Sequence, residues 1–571
     1  MEFFLVISLA ILFSNVFGND PLSDDCALRA FAVEMAGYIA PANVKSNWTE
    51  LSRSALQMNQ CNRSISDSQQ QSSTDSKNEK TKTNCYSTVY IHDLEGNDLF
   101  DGTFEKPVKT IQTALSLTRM RRIKYDDKHA LCIIIRGGTY YLGTNATIFS
   151  SQIGAIALTT NDSNLVIENY PNERVVLSGG TLLDLQWSIH SRTSTNRTIM
   201  KAQIPLSVDL DQFNELYIDD RRAIIAKYPN GDPSTHGLYT KDSGFSNDSN
   251  SWIRSFSSPG AEIHVLSPNR SGTKFPNYHL IVGGSASIYN PPRSFWPGYG
   301  IPRGFTVKDG ALPHMTNWTH PQTGYVHAFH GGFWSNWMFQ IASSNSTNNT
   351  IMFSRGGFQE ARGWPYGGPF YVSNIFEELD SSNEWFLDKL TRTLYFMPND
   401  TMPNVFVASQ LSCLISISGS SIENPVRNIL IDGLIFTQTS NTYLKDFMVP
   451  SGGDWSVHRG GTIYLTNTEN ITVTNNLFTQ LGSNGIAVID YNYATSITLN
   501  EFVWLADSGV ILVGSTDGID GFSVTSQPNR ILIQSNIFHE LGIYIKQSSP
   551  VLISVSRSVS VSSVIVVVVV L

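Results

Sequence analysis

The C-terminal part of the sequence repeats one short phrase. Its three copies read NLFTQLGSNGIAV at 476–488, NEFVWLADSGVIL at 500–512 and, in part, NIFHELGIYI at 536–545. Each copy begins within the end of an alternating apolar segment that closes on a phenylalanine, and Phe478, Phe502 and Phe538 are spaced by 24 and 36 residues. Periods of about 20 to 50 residues are typical of stacked repeat structures. Because four or five residues with apolar alternation predict strands, each repeat is expected to be a coil of β-structure.

We therefore predict a β-solenoid, in which each coil lies on the one before it. Equivalent residues of neighbouring coils then lie about one strand spacing apart, ~4.8 Å. Identical apolar side chains stack inside such a coil, and asparagine amides can form a hydrogen-bonded ladder at a turn. The predicted columns are Phe478, Phe502 and Phe538; Leu481, Leu505 and Leu541; and Asn476, Asn500 and Asn536.

The rest of the chain divides by composition and by turn residues. Residues 1–18 have the apolar core and small residues of a secretory signal peptide. The remaining segments are predicted as a short helical segment (19–63), a disordered linker (64–84), an N-terminal cap with the first coils (85–185), a β-rich aromatic insertion (186–425), the repeat coils (426–547) and an atypical apolar tail that is not a proper cap (548–571).

The net charge and the glycosylation motifs limit the classes of partner and the location that we expect. A net charge of −9 gives no basic footprint for nucleic acid or an anionic membrane. The signal peptide and twelve Asn-X-Ser/Thr acceptors predict a secreted, extracellular, N-glycosylated protein, which we expect to be a monomer without a membrane span. The acceptors are Asn47, Asn62, Asn145, Asn161, Asn196, Asn247, Asn269, Asn317, Asn345, Asn348, Asn399 and Asn470.

Five cysteines are too few for a disulfide scaffold in a chain of 571 residues. The preferred bridge is Cys26 with Cys61, although the odd count leaves the pairing open. Cys132 lies in an apolar run and is predicted to be a buried thiol. No spacing suggests zinc, so no metal site is expected.

Several motifs in order carry a family resemblance. These are YIHDLEGNDLFDGTFEKPVKTIQTAL, IIIRGGTYYL, FNELYIDDRRAIIAKYPN, NEWFLDKLTRTLYFMP and the repeats from residue 470 onward. Together, over roughly residues 86–547, they resemble the right-handed parallel β-helix (pectin-lyase-like) superfamily. The closer similarity is to large secreted proteins related to glycoside hydrolase family 141.

The resemblance implies an all-β, right-handed parallel β-helix with an N-terminal capping helix, here Val108–Met120. It also implies carbohydrate processing by carboxylates on one face of the coil. It is less specific for activity, because one fold hosts many chemistries.

Asp507 is the first candidate for catalysis. Hydrolysis of a glycosidic bond needs two carboxyl groups. Asp507 is aligned with Ser483 in the preceding coil and with Ile543 in the following one. The carboxylate therefore has no equivalent side chains in the neighbouring coils with which to form a ladder. It matches a GDSG-like segment of the resembled family, with Ala506 in place of glycine. A turn aspartate that caps the bend is the alternative.

Three other carboxylates are candidates. Glu540 is aligned with Gln480 and Trp504, and a solvated turn residue is its alternative. Asp454 lies in a Gly-rich segment, SGGDWSVHRGG, where an ion pair that stabilises the loop is the alternative. Asp490 follows the strand GIAVI. The expected substrate-binding residues are His458, Arg459, Trp455, Trp504, His539 and Lys546.

Three functions remain open. The favoured one is a glycoside hydrolase without a cofactor, which uses Asp507 with Asp454 or Glu540. A polysaccharide lyase would need calcium and a base such as Arg459 or Lys546. A non-catalytic carbohydrate-binding or structural protein is the third, because the tail at 548–571 predicts a truncated or mis-ended chain that is unstable or inactive alone.

Overall fold

The structure is a computed structural model. It describes residues 85–124, 129–193, 196–231, 304–307, 310–330, 336–356, 367–445, 447, 457–515, 526–562 and 564–567. The predicted signal peptide, helical segment and linker lie outside these ranges, as do Asp454, Trp455 and the predicted Cys26–Cys61 bridge.

The described chain is mostly β-structure, as predicted, and its core is built from three long parallel sheets. Sheet 1 contains Ser87–Ile91, Leu131–Ile135, Leu165–Asn169, Val426–Asp432, Thr468–Thr474, Asn492–Tyr493, Ser496–Thr498, Pro528–Gln534 and Arg557–Ser562. Sheet 2 contains Gly138–Tyr141, Val175–Ser178, Ile435–Thr437, Leu477–Leu481, Glu501–Leu505, Ile537–Leu541 and Ile565–Val567. Sheet 3 contains Ile156–Leu158, Ile415–Ser418, Ile463–Thr466, Ile486–Ile489, Val510–Val513 and Val551–Ser554.

The chain visits sheets 1, 2 and 3 in turn, and each strand pairs in parallel with its equivalent one coil later. Phe502 pairs with Phe478 on one side and with Phe538 on the other, so the predicted phenylalanine column is confirmed. The three rings are fully buried and stacked, with centroids 4.6 and 4.7 Å apart. Leu481, Leu505 and Leu541 are paired in the same way.

The predicted asparagine ladder is also present. Asn476, Asn500 and Asn536 are all buried at the turn that leads into sheet 2. The Nδ2 of Asn476 donates to the Oδ1 of Asn500 at 3.0 Å, and the Nδ2 of Asn500 donates to the Oδ1 of Asn536 at 3.0 Å. Each amide also accepts a backbone N–H from the coil before it, which keeps polar groups inside the core satisfied.

A left-handed residue interrupts each sheet 2 strand at the same place. Gln480, Trp504 and Glu540 all have φ near +50°, at 53°, 58° and 51°. This breaks the period-two alternation, so the leucine three residues after each phenylalanine also faces the core: Leu481 and Leu505 are fully buried, and Leu541 is partly buried against the same core. The column that holds Glu540 therefore shares a left-handed backbone conformation, although its side chains differ.

At the N-terminal end, helix α1 (Ile111–Lys124) packs on the first two strands of sheet 1. It begins three residues later than predicted, because Val108 is bridged to Ile91 and still belongs to the extended chain. Asp98 accepts the N–H groups of Lys109 and Thr110 and so holds the segment that enters the helix.

Cys132 is buried, as predicted, but the prediction that it is a thiol is wrong. Cys132 forms a disulfide with Cys85, with their Cα atoms 5.8 Å apart. The two residues come together because Ser87–Ile91 and Leu131–Ile135 are paired neighbours in sheet 1. Within the described ranges, Cys413 is a free cysteine and is buried.

Residues between the second coil's strands in sheets 2 and 3 form three further sheets, in which all but one of the strand pairs are antiparallel. The first contains Arg221–Arg222, Leu216–Ile218, Phe406–Ser409 and Gly180–Leu182. The second contains Ile224–Ile225, Glu384–Asp388, Thr393–Phe396, Thr198–Gln203 and Ser188–Arg192. The third contains Lys227–Tyr228, Gly367–Ser373, Tyr325–His330, Asn336–Asn345, Thr350–Gly356 and Gly304–Thr306. Short 3-10 helices span Thr160–Asp162, Met315–Asn317, Pro321–Thr323 and Phe376–Glu378.

The repeat continues beyond the point where the sequence led us to expect its loss. Val551–Ser554, Arg557–Ser562 and Ile565–Val567 pair in register with the preceding strands of sheets 3, 1 and 2. The alternation of valine and serine in 557–562 is compatible with a strand that has one face inside. The expectation that the chain leaves phase after residue 547 is corrected in this respect.

The glycosylation acceptors that the structure describes all lie on the surface. These exposed asparagines are Asn145, Asn161, Asn196, Asn317, Asn345, Asn348, Asn399 and Asn470. Secretion itself stays a prediction. In the described ranges, every helix is too short or too polar to cross a membrane.

Candidate functional site

The insertion leaves the coil at one particular turn, between sheets 2 and 3, and folds back over the same turn of later coils. The hydroxyl of Tyr217 donates to the carbonyl of Thr439 at 2.7 Å. The guanidinium of Arg222 donates to the carbonyl of Leu481, one coil further, at 2.8 Å. Polar side chains of the insertion are thereby placed against the turns of successive coils.

Asp507 lies in this turn, three coils after the insertion departs. The shape of the turn is fixed by Gly509, because a Cβ there would collide with the ring of Phe538. Asp507 is 5% exposed, and its carboxyl accepts a hydrogen bond from the Ser508 hydroxyl at 3.2 Å. Burial raises the pKa of Asp507 to about 7. A carboxyl of this kind can donate a proton near neutral pH.

The neighbours of Asp507 are only partly those that the sequence predicted. In the preceding coil, Ser483 lies in the equivalent turn and accepts a hydrogen bond from the Thr442 hydroxyl at 3.1 Å. In the following coil the turn is longer, and Ile543 donates its N–H to Leu505 rather than stacking beside Asp507. The alignment with Ile543 is therefore wrong, because it assumed turns of equal length.

A buried ion pair joins the insertion to the coil beside this turn. Glu215 and Arg222 approach to 3.4 Å with almost no exposed surface. Asn441 donates to one oxygen of Glu215 at 2.8 Å, and the hydroxyl of Tyr544 donates to the other at 3.1 Å. Burial raises the pKa of Glu215, while Arg222 opposes that rise. Tyr544 also donates its backbone N–H to Ala506, next to Asp507.

A narrow cavity, partly open to solvent, lies on the insertion side of these groups. It is lined by Asn214, Glu215, Arg222, Ala223, Ile224, Ile225, Lys227, His327, Tyr371, Ser373, Tyr443 and Tyr544. The ring of His327 stacks on Tyr371 with centroids 4.4 Å apart, and the Lys227 Nζ lies 4.4 Å from the same ring. Burial, with Lys227 and Lys546 nearby, holds the pKa of His327 well below its usual range, so the imidazole is neutral at pH 7.

The structure places several predicted residues near the turns between sheets 2 and 3. Trp504 is half-buried and packs against the cluster that contains Ala506 and Tyr544. Glu540 is half-buried in the same column, one coil beyond Trp504. The charge of Lys546 is close enough to lower the pKa of His327. His458 is buried with its ring 5.4 Å from Phe447.

Other predicted residues lie elsewhere. Arg459 forms an ion pair with Asp490 at 2.7 Å, and the Ser515 hydroxyl also donates to Asp490. Asp490 follows a sheet 3 strand, whereas Asp507 precedes the next one. The two carboxylates therefore lie at opposite ends of the parallel strands of that sheet. His539 lies 3.0 Å from Glu501 on the outer side of sheet 2.

The insertion contributes residues that the sequence analysis missed. Glu215, Arg222 and Lys227 all lie in the segment FNELYIDDRRAIIAKYPN, which served there only as a family motif. Its dense alternation of charged and apolar residues was an available signal, but nothing local indicated which coil it would face. In the described part of the chain, no group of three or more His, Cys, Asp or Glu residues is arranged to hold a metal ion.

Comparison with known proteins gives a structural likeness. No protein-family model and no curated protein matches the sequence. A solved structure titled "Glycoside hydrolase" matches with a TM-score of 0.55 and 19% identity, over 82% of this chain and 75% of that one. At this identity the likeness concerns the fold alone: the chain has a glycoside hydrolase-like β fold built on parallel sheets.

Proposed function

We propose that the three parallel sheets form a right-handed parallel β-helix, and that the protein is a glycoside hydrolase acting on a polysaccharide or glycan. The strand order and register support this fold, and so does the likeness to a glycoside hydrolase. The turn between sheets 2 and 3 supports the function more specifically than the fold does, because one fold serves many activities.

The observation that carries the proposal is the state of Asp507. Its carboxyl is buried in a turn where the preceding coil has Ser483, and burial raises its pKa to about 7. A protonated carboxyl at working pH is what a glycosidase needs to protonate the leaving oxygen. We assign Asp507 as the general acid.

Glu540 is the proposed second carboxylate. It lies at the same end of sheet 2, one coil beyond the strand that leads to Asp507. Glu215 is the other carboxyl here, but both of its oxygens accept hydrogen bonds and Arg222 pairs with it, which suits a positioning role. The second carboxylate acts as nucleophile or as base towards water.

The test is digestion of a polysaccharide panel by the full-length wild-type chain and by Asp507→Asn. We expect oligosaccharide products whose rate of release falls by about a hundredfold or more in Asp507→Asn, since general acid catalysis contributes roughly 10²–10⁴-fold. Asp211→Asn is the matched control, because the Asp211 side chain is 92% exposed and should leave the rate unchanged.

Glu540→Gln should lower the rate to a similar extent. Products with an unsaturated uronate would contradict hydrolysis and favour a lyase. Binding of a glycan without any product, in wild type and variants alike, would favour a non-catalytic protein.

A further inference from the structure

The outer face of sheet 2 has an apolar column with one charged member. Equivalent positions in four successive coils hold Ile435, Leu477, Glu501 and Ile537. All four residues are at most 6% exposed. The carboxyl of Glu501 therefore lies between buried aliphatic side chains of the coils on either side. A carboxyl in such surroundings is costly unless it is hydrogen-bonded.

The hydrogen-bond partner of Glu501 comes from the next coil. The Nε2 of His539 lies 3.0 Å from the Oε1 of Glu501. His539 is itself an exception to its column, because the residue that it pairs with in the preceding coil is the fully buried Val503. The two departures from the apolar pattern thus lie side by side and bond to each other. Since aliphatic residues take both places in neighbouring coils, the stack does not need this pair for its packing.

The imidazole is the member of the pair that a ligand can reach. The side chain of His539 keeps 11% of its surface exposed, against 5% for Glu501. Because Nε2 faces Glu501, the other ring nitrogen, Nδ1, is turned away from it, and in the described ranges it makes no hydrogen bond. A sugar hydroxyl both donates and accepts, so it can bond to Nδ1 whether or not that nitrogen carries a proton.

The pair adjoins the proposed catalytic turn. Trp504 packs against the outer-face cluster that contains Val503 and also against the turn cluster that contains Ala506. Glu540, the proposed second carboxylate, directly follows His539 in the chain. A glycan that crosses the turn therefore has His539 within reach of an adjacent sugar unit.

The insertion borders the same part of sheet 2. The backbone N–H of Arg222 donates to the Oε1 of Gln480 at 3.2 Å, and Gln480 is the first member of the column that continues with Trp504 and Glu540. In the two later coils this column leaves Trp504 and Glu540 half-buried. An aromatic ring beside hydrogen-bonding groups suits a sugar, because the ring packs on C–H groups while the polar groups bond to hydroxyls.

We propose that Glu501 and His539 form a sugar-binding subsite next to the turn that holds Asp507. His539 bonds to a hydroxyl of the glycan unit adjoining the one that is cleaved, and Glu501 is a positioning residue that fixes the imidazole. The ligand is a neutral oligosaccharide or polysaccharide that spans both places. This inference rests on the proposed function and adds a requirement for chain length to it.

The test is binding of neutral oligosaccharides of one to six units by the full-length chain that carries Asp507→Asn, so that no substrate is consumed. Cello-, xylo-, manno- and arabino-oligosaccharides are titrated by calorimetry. In at least one series we expect the affinity to rise with chain length. Adding His539→Ala should weaken binding of the longer members about tenfold, the loss expected for one hydrogen bond of about 1.4 kcal/mol, and leave the monosaccharide little changed.

Two substitutions test the positioning role of Glu501. Glu501→Gln keeps an oxygen that can accept the imidazole N–H and should retain most of the affinity. Glu501→Leu introduces the residue that the preceding coil has at this position, and should weaken binding of long oligosaccharides as much as His539→Ala does. Urea unfolding checks that each variant is folded, and if Glu501→Leu is not, His539→Ala and Glu501→Gln still decide the question. His320→Ala, at an exposed histidine of the insertion, is the control and should leave the affinity unchanged.

Unchanged binding of long oligosaccharides in folded His539→Ala, an equal loss at every chain length, or no binding of any oligosaccharide would overturn the inference. Binding through His539 that depends on chain length, without hydrolysis by the wild-type chain, would contradict only the proposed function. Hydrolysis of long glycans at the same rate with and without His539→Ala would contradict only the subsite.

Discussion

At the scale of single residues, the central feature is a carboxyl buried where its neighbours are small and uncharged. Asp507 has the Ser508 hydroxyl as a hydrogen-bond donor, and desolvation is the main cause of its raised pKa. The same burial that makes it a proton donor near neutral pH should make it destabilising when it ionises.

This gives a pH-dependent stability. A carboxyl with a pKa of about 7 in the folded state and about 4 in the unfolded state binds its proton more tightly when folded. Its contribution therefore favours folding below pH 4 and is lost as the pH rises to about 7. Asp507→Asn carries no such proton, so its stability relative to wild type should rise by about 4 kcal/mol between pH 4 and pH 8.

Urea unfolding of both proteins at several pH values measures this difference. Asp211→Asn, a variant at an exposed site, is the control. Its free energy of unfolding should change with pH in the same way as that of wild type over the pH range in which Asp507 titrates. A stability difference for Asp507→Asn that does not change with pH would mean that Asp507 is ionised and solvated in the folded state.

At the scale of elements, the strands are held in register by columns of identical side chains. Asn500 bonds to the asparagines above and below it, and its Nδ2 also donates to the carbonyl of Val473. The repeat makes these columns predictable from sequence, because equivalent residues meet the same surroundings in every coil.

Asn500→Ala should therefore be strongly destabilising. It leaves the backbone N–H of Asn476 without its partner inside the core, at roughly 1–3 kcal/mol for an orphaned group, and removes one of the hydrogen bonds to the carbonyl of Val473. The midpoint of urea unfolding measures the loss. Asn424→Ala, at an exposed turn, is the control and should change stability by less than about 0.5 kcal/mol. A similarly small change in stability at both sites would show that the asparagine ladder contributes little to the free energy of unfolding.

The turns were less predictable than the strands. The alignment placed Ile543 beside Asp507, but the turn after Ile537–Leu541 is longer than the one after Glu501–Leu505. A loop can add residues without disturbing the strands that it connects, so strand periodicity carries no information about turn length. The start of α1 differed for a similar reason, since Val108 takes part in a bridge that the local pattern did not reveal.

At the scale of the whole molecule, a buried ion pair fastens the insertion to the coil. Glu215 and Arg222 come from the insertion, while Asn441, Leu481 and Tyr544 come from three different coils and bond to them. The pair is therefore expected to fix how the insertion covers the turn that holds Asp507.

Arg222→Met should destabilise the protein by about 3–5 kcal/mol, because it leaves the Glu215 carboxyl buried without its cation. Adding Glu215→Gln to this variant should restore much of the loss, since the amide keeps hydrogen-bonding groups without the charge. Unfolding by urea, combined with limited proteolysis of the insertion, follows both effects. Equal instability of the single and double variants would indicate that the charge of Glu215 is not the cause.

The sequence by itself determined the strands, their stacking and the buried columns, because a repeat of Phe, Leu and Asn encodes contacts between equivalent residues of successive coils. Only the tertiary structure decided the site around Asp507. Glu215 and Tyr544 are 329 residues apart, and Glu215 belongs to no repeat, so their hydrogen bond depends on how the insertion folds back on the coil. Local periodicity can specify a stack, but contacts between a non-repetitive insertion and that stack form only when the whole chain is in place.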